Sequence, residues 1–126
     1  MIRGVDAAEV EWDRIEPFLK NFADRSHGFW TVRSLWDAIE AERKQVYVVD
    51  DYRAVILTSV GDEYIRIEAA AGSDRESWQA ELDDLMADWA RASGRSRIFC
   101  LARPGWARFA KLRGYREIHR EFVREI

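Results

Sequence analysis

The chain has 126 residues, 48% of them apolar and 34% charged, with a net charge of −3. Those values describe one globular domain spanning residues 1–126, able to bury about two thirds of its surface, and exclude a disordered chain. No apolar run nears the roughly 20 residues that cross a bilayer, and the single Cys100 and two distant histidines exclude a disulfide framework and a metal-ligand cluster.

Residues 1–5, "MIRGV", predict a short strand. Asp6 is placed to cap the helix that follows, in which Trp12, Ile15, Leu19 and Phe22 recur at helical spacing. Pro17 falls inside that pattern and predicts a kink or a split into two helices. "SHGFW" is a loop. Thr31 then caps a second helix with Leu35, Trp36 and Ile39 on its apolar face.

The apolar period next changes from 3.6 to 2. "QVYVV", "AVILTSV" and "YIRIEAAA", separated by "DDYR" and "GDE", predict a three-strand antiparallel meander. Ser73 and Glu76 have capping-box spacing ahead of the longest helix. That helix carries Trp78, Leu82, Leu85, Met86 and Trp89 on one stripe and ends at Gly94. "SRIFCLA" reads as a buried strand. Pro104 suits the first turn of a short helix, with Trp106, Phe109 and Ala110 inward and Gly114 as its stop. "YREIHREFVREI" predicts a closing strand. The fold class is α/β (α+β): a mixed, mostly antiparallel sheet of five to seven strands with helices on both faces.

Charge is unevenly spread. Residues 1–94 carry 11 cations and 20 anions, and residues 95–126 carry 9 and 3. The two parts neutralise each other across the sheet, or the cationic end presents Arg103, Arg108, Lys111 and Arg113, with Arg116 and Arg120, to an acidic partner. No motif for RNA or DNA accompanies these cations, so nucleic acid is not expected. No charged-then-apolar leader opens the chain, and a cytoplasmic setting is expected. Cys100 lacks a neighbour that would lower its thiol pKa and reads as a small core residue. His27 and His119 read as surface residues. Trp30 and Trp106 are the two tryptophans least bound to a core stripe and are candidate anchors for a partner.

The order strand, helix pair, meander, long helix, strand, short helix, together with "LDDLMADWARASGRSRIF" and "RIFCLARPGWARFAKLRGYREI", resembles the GNAT acyltransferase superfamily. It looks most like the small GNAT-like proteins of tailed phages. The resemblance implies acetyl-CoA as cofactor. Its pyrophosphate would rest where the long helix begins, between two central strands that splay apart, near Gly72, Ser73 and Arg75. The family's glycine-rich phosphate loop is reduced here to "GSDRES", and a Ser73–Glu76 capping box with Asp74 would set negative charge at that point. The family's tyrosine acid falls on Ala110. Tyr115 beside Gly114 is read as a packing ring with its hydroxyl at the surface. Glu68 is the residue left for general base, with a salt bridge to Arg66 or Arg97 as its ordinary structural role. Two functions follow from the resemblance. One is an accessory or virion-associated protein that binds a partner through a degenerate scaffold. The other is an acetyl-CoA-dependent N-acetyltransferase for a small-molecule or protein amine.

Overall fold

In the computed structural model, which describes residues 1–126, the elements run β1 (Ile2–Val5), α1 (Trp12–Arg25), α2 (Val32–Glu40), β2 (Gln45–Val49), β3 (Ala54–Val60), β4 (Tyr64–Gly72), α3 (Gln79–Ala92), β5 (Arg97–Cys100) and α4 (Ala107–Leu112). Single 3-10 turns at Ala7–Glu9, Arg75–Ser77 and Pro104–Trp106 precede α1, α3 and α4. The strands form one sheet in the order β1-β2-β3-β4-β5. The first three pairings are antiparallel and β4 with β5 is parallel.

β3 explains why the sheet has a helical layer on each side. From Ala54 to Thr58 every residue is fully buried, as a central strand covered on both faces must be. Val55 and Leu57 pack with Ile15, Leu19, Leu35 and Ile39 of α1 and α2. Ala54 and Ile56 pack with Trp78, Leu82 and Met86 at the start and along the length of α3. Thr58, the one buried polar residue, donates its hydroxyl to Gln45 Oε1 at 2.9 Å.

Several local expectations hold. Thr31 accepts from Ser34 N–H at 3.0 Å, and the Ser34 hydroxyl oxygen accepts from Thr31 N–H, closing a capping box. Gly94 and Gly114 lie at φ +72° and +91°, where a Cβ is strained.

Others need correction. Asp6 precedes only the 3-10 turn and makes no side-chain cap. Pro17 does not divide α1, because it sits on the exposed face, where water can serve the carbonyl left without a donor. The Ser73–Glu76 capping box does not form. Asp74 is left-handed at φ 57°, Ser73 N–H donates to the Arg53 carbonyl, and α3 begins only after Trp78. β5 is half-buried rather than buried, since it is paired on one side only. Trp106, Phe109 and Ala110 do face inward but are likewise half-buried. The closing strand is absent: residues 116–126 are exposed and form no strand. Ile118, Phe122 and Ile126 fall at every fourth position with an arginine between, so neither face of such a strand is continuously apolar. No helix is long and apolar enough to cross a membrane.

Candidate functional site

The sheet opens where its one parallel pair ends. β4 and β5 pair from Tyr64 with Arg97 to Ile67 with Cys100, and Leu101 N–H to the Ile67 carbonyl is the last bond of the ladder. β4 then continues to Gly72, while the segment after β5 leaves through Arg103 into the Pro104–Trp106 turn. A cleft of about 230 Å³ occupies the gap. Asn21 and Arg25 of α1, Ala70 to Gly72 of β4, Arg75, Trp78, Arg103 and Trp106 line it.

Three guanidiniums, from three separate elements, meet there, and no carboxylate lines the cleft. Partial desolvation, then the like charges of Arg25 and Arg75, hold Arg103 below its ordinary pKa. Arg75 lies over the Trp106 ring at 5.1 Å, and Trp106 packs against Trp78 at 6.0 Å between ring centroids. That stacking fixes the direction of one cation and leaves its hydrogen-bond donors free. Like charges gathered without a counter-ion form a ready receptor for a multiply charged anion.

The acidic loop residue beside the cleft is already engaged. Arg53 binds Asp74 at 3.2 Å, Ser77 at 2.9 Å and Asp50 at 3.0 Å. The Asp74 part of the negative charge expected to repel a phosphate is thereby neutralised. Gly72 and Arg75 do line the cleft; Ser73 is not among its lining residues. Gly72 has a packing reason to be glycine: at φ +151°, an added Cβ would stand 2.3 Å from the Ala54 Cβ. The loop amides are partly committed within the fold. Ser77 N–H donates to the Asp74 carbonyl and Trp78 N–H to that of Arg75. Arginine side chains, rather than a cradle of backbone amides, dominate the site.

Glu68 lies on β4 two residues before Ala70. Leu57 faces Ala69 and Thr58 faces Ile67, so Glu68 is the extra residue of a β-bulge, without a cross-strand partner. Its carboxylate is bound by Lys44 Nζ at 2.5 Å, not by Arg66 or Arg97. Both side chains are largely buried, 11% and 14% exposed, and Lys44 also lies 5.1 Å from the Trp30 ring centre. A cation this enclosed needs both partners to offset its desolvation.

Of the cations expected on a partner surface, Arg120 pairs with Glu117 at 3.0 Å, Arg116 is exposed, and the other four divide into three sets. Arg103 lines the cleft. Arg113 turns back onto α3, binding Asp83 at 2.8 Å and also Asp84, because two adjacent carboxylates on the neighbouring helix attract it. Arg108 and Lys111 are exposed and form no ion pair. The Tyr115 hydroxyl is not at the surface. It donates to Asp83 Oδ1 at 2.7 Å, and burial followed by that bond pushes the phenol pKa up. Burial, then Asp83, raises the Cys100 thiol to about 11, which leaves it unsuited to act as a nucleophile. His27 and His119 are exposed. No group of three or more His, Cys, Asp or Glu side chains is placed to hold a metal.

Sequence reasoning missed Asn21, Arg25 and Lys44. Each acts across the fold, on residues far along the chain, and none has a short-range motif to announce it.

No protein-family model and no curated protein sequence matches the chain. Solved structures do match its fold. A probable acetyltransferase superposes with a TM-score of 0.73 at 11% identity, over 100% of this chain and 97% of the other. A ribosomal-protein-alanine N-acetyltransferase from Brucella melitensis biovar Abortus 2308 gives 0.73 at 10%, over 100% and 99%. A predicted acetyltransferase from Clostridium acetobutylicum, solved with acetyl-CoA, gives 0.66 at 10%, over 99% and 95%. With its splayed parallel pair and helices on both sheet faces, the chain has the fold of the GNAT acyltransferase superfamily.

Proposed function

We propose that the cleft between β4 and β5 binds the phosphates of acetyl-CoA and that the protein is an N-acetyltransferase acting on an amine. The observation that carries this reading is the convergence of Arg25, Arg75 and Arg103 with no acidic residue among them. The free edge of β4 beyond Ile67 supplies backbone groups to an extended amide-bearing arm entering the gap. In this reading Glu68 takes the proton from the acceptor amine, and positioning of the thioester supplies the rest of the rate.

Calorimetry with acetyl-CoA tests it. The expected Kd is tighter than about 100 µM, some −5.5 kcal/mol, and Arg75→Ala should weaken binding about tenfold through loss of one charge-assisted contact. Wild-type binding weaker than that value overturns the reading.

A second reading is that of an accessory or virion-associated protein that engages a partner through a degenerate scaffold. What favours it is the state of the catalytic positions: Glu68 is already neutralised by Lys44, Ala110 stands where the family has its tyrosine, and Arg108 and Lys111 are free on α4. Absent acetyl-CoA binding, this is the reading that remains.

A further inference from the structure

We infer that Lys44 is itself an acyl acceptor, modified by the protein's own bound acetyl-CoA; this rests on the acetyl-CoA reading above. The chain has three lysines, Lys20, Lys44 and Lys111. Lys20 and Lys111 are exposed. Lys44 alone has its nitrogen on a carboxylate, 2.5 Å from Glu68 Oε2 and largely shielded from water. That carboxylate belongs to the bulge residue of β4, two positions, or about 7 Å of strand, from the wall of the cleft at Ala70. A bulge leaves its extra residue outside the ladder, so its backbone groups are available to a ligand. Nucleophile, base and a locally unpaired strand edge therefore meet at one position. This is the constellation that acyl transfer to nitrogen requires.

The step balances as follows. Glu68 removes one proton from the Lys44 ammonium and passes it to water. The neutral Nζ attacks the thioester carbonyl carbon. The C–N bond forms, and the C–S bond breaks with its electron pair on the CoA sulfur. The second proton lost from nitrogen ends on the CoA thiol. A small cavity of about 130 Å³ also touches Lys44, between the end of β1 and the end of α2, and gives the lengthened side chain room to settle.

The test is incubation of the whole protein with acetyl-CoA, followed by peptide mass spectrometry, with acetyl-CoA affinity measured in parallel. Uncatalysed acetylation favours exposed amines, so a shielded, ion-paired lysine should be modified last. The inference requires Lys44 to be modified ahead of Lys20 and Lys111, and E68Q to slow the modification of Lys44 about a hundredfold. Tight binding with Lys44 modified last overturns the inference and spares the cofactor reading. Absence of binding overturns both. The wild-type order of modification decides the matter even if E68Q folds poorly.

Discussion

The meander and the C-terminal third are held together in different ways. β2, β3 and the first half of β4 are clamped between two apolar layers, and their buried residues touch helices on both sides. From Arg97 onward no residue is buried. That region is tied down by one short parallel pairing, by the Trp78–Trp106–Phe109 aromatic contacts and by a polar staple. In the staple, Asp83 holds both Arg113 and the Tyr115 hydroxyl. Stability resides in the first region and the cleft in the seam between the two. The seam can adapt to a ligand because one of its walls is lightly held.

The largest effect should come from the meander. Leu57→Ala opens a cavity where both sheet neighbours and α1 are already close-packed, and should cost about 2–5 kcal/mol in denaturant unfolding. A loss below about 1 kcal/mol would mean the layer is less tightly packed than its burial indicates.

A smaller effect is expected from the staple. Asp83→Asn should cost about 1–3 kcal/mol, because it weakens the bonds to Tyr115 and Arg113 together. Hydrogen exchange should show the loosening confined to residues 97–115. Loosening that spreads into β2 and β3 would abolish the contrast between the two regions.

The smallest effect concerns alkaline pH. The Cys100 thiol, at about 11, and the Tyr115 phenol are both raised above their ordinary values by burial and by Asp83. A folded-state pKa raised in this way favours the protonated form in the fold. The thiol's contribution is complete below its unfolded value of about 8.5 and is lost as pH climbs to about 11, whereas the phenol's begins to be lost only above its unfolded value of about 10. The melting temperature should therefore fall between about pH 9 and 11. Asp83→Asn should shrink that fall, since it removes one cause common to both groups. An equal fall in the variant would assign the loss to other groups.

What the sequence disclosed follows the same division. In the meander, short apolar segments bounded by turn residues specified strands that the structure reproduces almost residue for residue, because a strand covered on both faces is apolar along its length and the turn residues mark its ends. The Thr31 cap was legible because a cap is a local event, although its reciprocal partner Ser34 was not foreseen. Ser73 and Glu76 had the same spacing and failed. The Arg53 carbonyl and side chain, 20 or so residues away, claimed the loop and set Asp74 left-handed. The salt bridge of Glu68 was foreseen but not its partner, since Lys44 approaches from beyond β3. Gly72 and Arg75 were placed near the cleft from family resemblance. Arg25 was not, because helical spacing on α1 says nothing about what lies across from it.

The parting of β4 from β5 leaves Glu68 to Gly72 as an interior strand without a neighbour on one side. Bare strand edges of this kind invite the edge of another molecule and seed aggregation. Lysines or arginines beside such an edge discourage that encounter through mutual repulsion between copies. Arg25, Arg75 and Arg103 stand along this gap. Mutual repulsion among cations so placed opposes the pairing of a second copy with the open edge. Replacing them would endanger solubility as much as affinity.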